Sequence, residues 1–184
     1  MTSGNVLVIM GSVRAGRLCE EITQWVSGVG QSEIGRPLEV VDLRDWKLPM
    51  DDEPAQPILG RYAQAHTIAW SEKVKAAAGF VFVTPQYNGG YPAALKNALD
   101  HLYAEWSDKP ALIISYGGGG GSQCAEQLRS VLMRFKMDLV SRMPPLRLTH
   151  KALETQEIDA EEELLPQKSA IITGFRDLAT KFAN

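Results

Sequence analysis

The chain has 184 residues and a formal net charge of −3, with 45% hydrophobic and 22% charged residues. A chain of this length buries roughly 70% of the surface that it exposes when unfolded, so a core needs neither a metal nor a disulfide. The mild acidity and the scattered basic residues predict no nucleic-acid or anionic-membrane partner. We therefore expect one globular domain over residues 1–184.

Cysteine usage and the first residues indicate a compartment. Cys19 and Cys124 lie far apart, and the sequence has no C-x-x-C pair or Cys/His cluster, so it predicts no metal site. Free thiols are typical of a reducing compartment. The start, MTSGNVLVIMGS, lacks the charged segment of a signal peptide, and no apolar stretch approaches the ~20 residues of a membrane helix. We expect a cytoplasmic protein.

Short apolar runs alternate along the chain with longer amphipathic segments. The runs lack polar alternation, which is typical of parallel strands covered by helices on both faces. They are Asn5–Gly11, Leu38–Leu43, Gly79–Thr84 and Ala111–Gly117, followed by a weaker fifth segment, Asp138–Leu148, with two prolines. Helical patterns cover Leu18–Val29, Gly60–Ala77, Ala93–Trp106, Ser122–Lys136 and Glu161–Phe182.

This order of strands and helices predicts a three-layer, doubly wound α/β fold. Five strands fit a parallel sheet in the flavodoxin-like order 2-1-3-4-5 better than a six-stranded dinucleotide fold. Ligands bind such sheets outside the carboxyl ends of the strands, so the loops at those ends are the candidate site.

The first candidate loop, Gly11–Arg17, reads GSVRAGR. Glycine lets the backbone approach a ligand, Ser12 adds a hydroxyl donor, and Arg14 and Arg17 add positive charge. Together with the free N–H groups of the next helix, these features favour a phosphate site. The loop has neither Walker nor G-x-G-x-x-G spacing, and the alternative is a turn with two solvated arginines.

Two further loops follow the third and fourth strands. Between Pro85 and Gly89–Gly90, the side chains of residues 86–88 offer polar and flat surfaces for a heteroaromatic edge, or else form a plain turn. The segment Ser115–Gln123 contains five consecutive glycines, which are entropically costly. Close approach of the backbone to a ligand explains that cost, and a mobile loop is the alternative. The predicted topology brings all three loops to one crevice.

At these loops the chain resembles the NADPH-dependent FMN reductase family of flavodoxin-like proteins, over roughly Asn5 to Met137. Gly11–Arg17 matches the pattern G-S-x-R-x-x-[SR], and Ser115–Gly121 matches S-x-G-x-x-G-G. Pro85–Asp100 matches the most specific motif, P-[EQ]-Y-N-x-[GS]-x-P-[GA]-x-L-K-N-x-[LI]-D. The run LYAEWSDKPALIISYGG also looks like the branch with azo-, quinone- and chromate-reducing enzymes.

The resemblance implies bound FMN, with NADPH or NADH as the electron donor. Carried over by position, the phosphate would be held by Ser12, Arg14, Arg17 and the backbone of Leu18 and Cys19. The isoalloxazine ring would be bordered by Pro85, Gln86, Tyr87, Asn88 and Gly89, and on its other side by Ser115, Tyr116, Gly117 and Gly118. Gln86 stands where many relatives have Glu, which removes one charge near the ring.

The resemblance also implies a ping-pong reaction on FMN N5, in which NAD(P)H gives hydride and departs before a small acceptor binds. A quinone, a flavin, an azo compound or a metal ion could be that acceptor, and no side chain is required as acid or base. We expect His66 and His101 on exposed helix surfaces. The resemblance implies a homodimer or tetramer, with Tyr91, Tyr103 and Trp106 either at the interface or in the core.

Three other functions remain open. A flavodoxin-type electron carrier is typically strongly acidic with a Thr/Ser-rich phosphate loop, and this chain has neither feature. A redox sensor could use Cys124, because a thiolate is favoured at the predicted helix start, although packing as a small apolar side chain under the helix is the favoured interpretation of this residue. A flavin-free, partner-binding relative is disfavoured by the presence of all three loops.

Overall fold

The computed structural model describes residues 4–183, which fold around a central parallel β-sheet. The strands are β1 Val6–Met10, β2 Leu38–Asp42, β3 Gly79–Pro85, β4 Pro110–Gly117, β5 Asp138–Leu139 and β6 Pro145–Arg147. They are arranged in the order β2-β1-β3-β4-β5, and β6 also pairs with β4. The predicted flavodoxin-like order is therefore confirmed.

Helices cover both faces of the sheet. They are α1 Cys19–Ile34, α2 Leu43–Trp46, α3 Ala65–Ala76, α4 Ala93–Asp100, α5 Ser122–Arg134, α6 His150–Thr155, α7 Ala160–Leu164 and α8 Lys168–Thr180. Short 3-10 turns occur at Pro57–Leu59, Ala104–Trp106 and Leu165–Gln167. Within the described residues, none of these helices has the length and apolar character needed to cross a bilayer.

The central strand β1 shows how the three layers are held together. Val6 and Val8 pack on one face of the sheet in a cluster with Phe175 of α8. Leu7 and Ile9 pack on the other face in a cluster with Trp70 of α3. Every residue of β1 is buried, which is why the sequence here shows no polar alternation.

Prolines account for two differences from the predicted elements. The predicted strand Asp138–Leu148 is divided into β5 and β6, and Pro145 is the first residue of β6, where its missing N–H does least harm to the ladder. The predicted helix Glu161–Phe182 is divided into α7 and α8 by a 3-10 turn that contains Pro166. Neither α2 nor α6 was predicted from the sequence.

The structure shows whether Trp106, His101 and His66 are buried or exposed. Trp106 is completely buried and packs edge-on against Phe80, so it belongs to the core. The expectation of an exposed His101 is wrong: the side chain is buried, because α4 ends at Asp100 rather than continuing to Trp106 as predicted. His66, in the first turn of α3, is partly buried.

Candidate functional site

The carboxyl ends of β1, β3 and β4 lie side by side, and the three candidate loops leave the sheet at this edge. A cavity of about 150 Å³ lies among them. Its lining residues are Ser12, Arg14, Arg17, Leu18, Pro85, Gln86, Tyr87, Tyr116, Gly117, Leu153 and Gln156. Residues from all three loops therefore meet in one place, as the topology predicted.

Tyr87 connects the first loop with the second. Its phenolic oxygen lies 2.7 Å from Oγ of Ser12, which is fully buried. The guanidinium of Arg14 lies over the same ring, 4.1 Å from its centroid, in a cation–π contact. The aromatic ring of Tyr87, the hydroxyl of Ser12 and the positive charge of Arg14 thus lie together at the cavity.

Arg17 points inward instead of into solvent. Its guanidinium donates a hydrogen bond to the carbonyl of Ser12 at 2.8 Å and forms an ion pair with Asp42 at the end of β2. Within residues 4–183, its buried Nε has no hydrogen-bond partner. Arg17 therefore holds the first loop against β2. Its Nε–H remains an unsatisfied, buried donor beside the cavity, and such a donor favours an anionic ligand.

The start of α1 adds backbone donors behind the first loop. Leu18, at the N-cap, provides no side-chain hydrogen bond to the helix, so the first N–H groups of this 16-residue helix are available to an anion. Cys19 itself is fully buried, and its Sγ lies 3.7 Å from the carbonyl of Val83. Burial raises the pKa of the Cys19 thiol, so this residue can serve a phosphate through its backbone N–H only.

The second loop contains a tight two-residue turn. Asn88 and Gly89 have positive φ angles of 51° and 87°, and the flanking residues Tyr87 and Gly90 exchange backbone hydrogen bonds of 2.7 and 2.9 Å. Asn and Gly tolerate this left-handed conformation, which explains their order in the sequence. Neither Asn88 nor Gly89 is among the cavity-lining residues; together they fix the position of Tyr87.

Gln86 joins the second loop to the third. Its N–H donates to the carbonyl of Tyr116 at 3.1 Å, and its side-chain Oε1 accepts a hydrogen bond from the N–H of Cys124 at 3.2 Å. The latter contact satisfies one of the free donors in the first turn of α5. A side-chain oxygen at position 86 therefore joins the second loop to the start of α5, and either Gln or Glu can make this contact.

A nearby ligand explains only some of the glycines in the third loop. Gly121 has a φ of 76°, and a Cβ built there would lie 3.0 Å from the carbonyl oxygen of Tyr116. The turn itself therefore requires Gly121. Gly117 lines the cavity, whereas Ser115 is buried and donates through Oγ to the carbonyl of Gly120 at 2.8 Å. Gly118 does not line the cavity either, and a Cβ there would meet Leu153 at 3.2 Å.

Helix α6 supplies a wall that the sequence analysis missed. Leu153 and Gln156 close the cavity from the C-terminal part of the chain, for which no motif indicated a role. The only local signal was Thr149, whose hydroxyl caps α6 by accepting from the N–H of Ala152 at 3.3 Å.

Two ionisable side chains near the cavity are kept neutral. Burial raises the pKa of the Tyr116 phenol far above its ordinary value, so the ring offers an uncharged wall. Burial also raises the pKa of the Cys124 thiol to about 11, even though the residue lies in the first turn of a helix. Cys124 is thus a protonated thiol near neutral pH, which disfavours the redox-sensor function.

Comparison with known proteins decides the family. The profile described as NADPH-dependent FMN reductase matches residues 5–145. The chain belongs to the NADPH-dependent FMN reductase family. It is 50% identical over 179 residues to an NAD(P)H-dependent FMN reductase of Schizosaccharomyces pombe, covering 96% of this chain and 90% of the relative. It is 46% identical over 173 residues to one of Saccharomyces cerevisiae, covering 88% and 87%.

A solved structure supports the fold of this FMN reductase family member independently. FerB of Paracoccus denitrificans, a flavoenzyme NAD(P)H:(acceptor) oxidoreductase, superposes with a TM-score of 0.71. The match covers 97% of this chain and 98% of the other. At 22% identity, this likeness bears on the fold alone.

Family membership makes the protein an oxidoreductase that uses FMN and NAD(P)H, and the residues present fit that cofactor. The uncapped start of α1, the buried hydroxyl of Ser12 and the unsatisfied Nε of Arg17 suit a phosphate. Pro85, Tyr87 and Tyr116 offer flat, uncharged surfaces suited to an aromatic ring.

Proposed function

We propose that this FMN reductase transfers hydride from NAD(P)H to a small two-electron acceptor, for which a quinone is the best match. When bound, FMN supplies the redox chemistry, with its N5 as the hydride-carrying atom. The observation that carries the proposal is the meeting of three loops at a single cavity with aromatic walls. A quinone is flat and accepts two electrons, so it suits both the shape and the chemistry.

The phosphate-binding role belongs, in this proposal, to Ser12, Arg14 and the backbone N–H groups of Leu18 and Cys19. Arg14 is exposed and makes a cation–π contact, so it can reorient toward a phosphate at little cost. Arg17 is committed to Asp42 and to the Ser12 carbonyl, and we assign it a positioning role, with only its Nε left for the ligand. These two different roles refine the prediction that Arg14 and Arg17 both bind the phosphate.

The ring-binding role belongs to Pro85, Gln86 and Tyr87 on one side and to Tyr116 and Gly117 on the other. Asn88, Gly89, Ser115 and Gly118 support these residues from outside the cavity lining. Among residues 4–183, no carboxylate lines the cavity, and Tyr116 keeps its proton, so we assign these residues binding and orienting roles.

A ping-pong order is part of the proposal. Donor and acceptor must both reach the FMN that this cavity would hold, so we expect them to occupy the same position in turn. Steady-state oxidation of NADPH against a panel of quinones, azo dyes, free flavins and metal ions tests this. Parallel double-reciprocal lines support the proposal, whereas intersecting lines contradict the ping-pong order. A reaction with flavins or metal ions but with no quinone would contradict the proposed acceptor.

We also propose a homodimer or tetramer in the cytoplasm. An apolar cavity of about 640 Å³ is lined by Leu102, Tyr103 and Phe135, and Ile58 at its edge is 57% exposed. Exposed apolar surface of this kind is typical of an interface. Light scattering on Ile58→Asp tests the assignment, with Leu165→Asp, at a similarly exposed apolar residue, as the matched control. A shift to monomer in Ile58→Asp alone supports it, whereas an unchanged oligomer contradicts it.

A further inference from the structure

Two imidazoles and a carboxylate meet on the α3–α4 side of the molecule, away from the FMN cavity. Asp52 lies in the loop after α2, His66 lies in the first turn of α3, and His101 follows the last residue of α4. Nε2 of His66 is 3.1 and 3.2 Å from the two carboxylate oxygens of Asp52. Nε2 of His101 is 4.0 Å from Oδ1 of the same carboxylate. The three potential ligand atoms all lie within 4.8 Å of one another.

The orientation of His101 is fixed by the backbone. Its Nδ1 lies 2.8 Å from the carbonyl oxygen of Asn97, and a carbonyl can only accept, so Nδ1 carries the hydrogen. In the neutral ring, Nε2 then holds a lone pair that faces the carboxylate of Asp52. Nε2 of His101 and the carboxylate oxygen of Asp52 are thus two electron-rich atoms that face each other. His101 is only 6% exposed, so water screens this contact little. This arrangement favours a cation between the two atoms.

The surroundings also favour a cation. A cavity of about 270 Å³ adjoins the cluster, and its walls carry the carboxylates of Asp51, Asp52, Glu53 and Asp100. Among the described residues, no lysine or arginine lines it. Lys96 pairs with Asp100 on the surface of α4 and compensates one of these four carboxylates, which leaves three. The field at the cluster is therefore negative, and the cavity leaves room for a water molecule as a further ligand.

We propose that Asp52, His66 and His101 form a site for one divalent transition-metal ion of the Zn²⁺ type. Two imidazole nitrogens and a carboxylate are ligands that Zn²⁺ accepts, whereas Mg²⁺ and Ca²⁺ prefer oxygen ligands. Tetrahedral bonds of about 2.0–2.2 Å place neighbouring ligand atoms about 3.4 Å apart. The His66–Asp52 distances of 3.1 and 3.2 Å lie close to this value. The 4.0 Å between His101 and Asp52, and the 4.8 Å limit for the whole cluster, require the side chains to move slightly closer around the ion.

Such an ion would reinforce three elements that hydrogen bonds already join, among them those from the N–H groups of Ala63 and Gln64 to Glu53 and from the Asn97 side chain to the carbonyl of Leu48. It would tie the loop after α2 to the start of α3 and the end of α4. None of its three ligands lines the FMN cavity, so the site is independent of the proposed function. Sequence patterns do not indicate this site, because the three residues are far apart in the chain and match no zinc-binding spacing.

Calorimetric titration of the tag-free, FMN-loaded protein with ZnCl₂ tests the proposal, with MgCl₂ as the comparison ion. We expect saturable binding of one Zn²⁺ per chain and a rise in melting temperature. His66→Gln and Asp52→Asn should each weaken Zn²⁺ binding by about 10-fold or more. Both side chains are about a quarter exposed, so we expect the variants to fold.

His150→Gln is the matched control, because His150 is the third histidine of the chain and is exposed at the start of α6. Its Zn²⁺ affinity should equal that of the unmodified protein. Absence of saturable Zn²⁺ binding would overturn the proposal, as would equal affinity in His66→Gln, Asp52→Asn and the control. The cluster would then be a hydrogen-bonded His–Asp pair only. Circular dichroism without metal verifies that each variant is folded.

Discussion

The hydroxyl of Ser12 and the phenol of Tyr87 lie 2.7 Å apart, although 75 residues separate them in the chain. This contact connects the phosphate-binding loop with the ring-binding loop. Because Arg14 packs on the same ring, a change at Tyr87 affects both halves of the proposed cofactor site.

Tyr87→Phe removes the hydrogen bond to Ser12 while the aromatic ring stays. A single hydrogen bond of this kind contributes about 0.5–1.5 kcal/mol, so the FMN dissociation constant should rise by about 2- to 10-fold. Quenching of FMN fluorescence measures the change. Tyr103→Phe, in a ring that packs against Phe135 away from the three loops, is the control and should bind FMN normally. Equal effects in the two variants would contradict the role of the Ser12–Tyr87 contact.

The two arginines of the first loop should respond differently to replacement. Arg14→Ala should weaken FMN binding with little change in the free energy of unfolding, because Arg14 is exposed. Arg17→Ala should lower the free energy of unfolding by on the order of 3 kcal/mol, because it leaves Asp42 without its partner. Urea unfolding and FMN titration of both variants separate the two roles.

Arg142→Ala is the control for the loss of an arginine ion pair. Arg142 pairs with Asp177 on the surface, so its removal should lower the free energy of unfolding by less than about 1 kcal/mol. If Arg17→Ala proves as stable as Arg142→Ala, the positioning role of Arg17 is wrong.

Gly121→Ala should destabilise the protein by about 1–3 kcal/mol, because it forces a Cβ into a left-handed turn beside the Tyr116 carbonyl. Gly119→Ala, two residues earlier in the same run, adds a Cβ that meets no atom within 4 Å and should change stability by less than about 1 kcal/mol. Urea unfolding compares them. Similar losses at both positions would show that the whole run, rather than the turn at its end, is conformationally constrained.

Gln86→Glu should preserve the fold and lower the reduction potential of bound FMN. A carboxylate can still accept from the N–H of Cys124, and the helix N-terminus favours its charge. An added negative charge beside the ring, worth about 1–2 kcal/mol, corresponds to about 20–40 mV for two electrons. Redox titration measures the shift. Gln123→Glu adds the same charge to the exposed first turn of α5, outside the cavity lining, and should shift the potential less.

Cys124 should give the protein a distinct alkaline pH dependence. Burial raises the pKa of its thiol from near 9 to about 11, so the folded state holds this proton more tightly than the unfolded state. The resulting stability is complete below about pH 9 and is lost as the pH rises through 11, by up to about 3 kcal/mol. Urea unfolding at pH 8 and pH 10.5 should show this loss, and Cys124→Ala should reduce it. Rapid reaction of the folded protein with a thiol reagent at pH 8 would argue for a reactive thiolate instead.

The chain sequence determined the sheet and the position of the candidate site. Uniformly apolar runs at β1 and β3 identify strands buried on both faces, and strand–helix alternation leaves one common sheet topology. Because parallel strands place their carboxyl ends at one edge, the sequence alone is enough to assign the three loops to one crevice. Local residue types, such as Asn88 and Gly89 in the tight turn, are enough to identify these loops in the sequence.

Tertiary structure alone decided how individual side chains are used. The inward orientation of Arg17 depends on Asp42, and the site wall from Leu153 depends on how the C-terminal segment packs over the third loop. The cluster of Asp52 with His66 and His101 likewise exists only because α3 and α4 pack on the same face of the sheet. These contacts join residues that are distant in the chain, and local propensity and periodicity carry no information about such pairs.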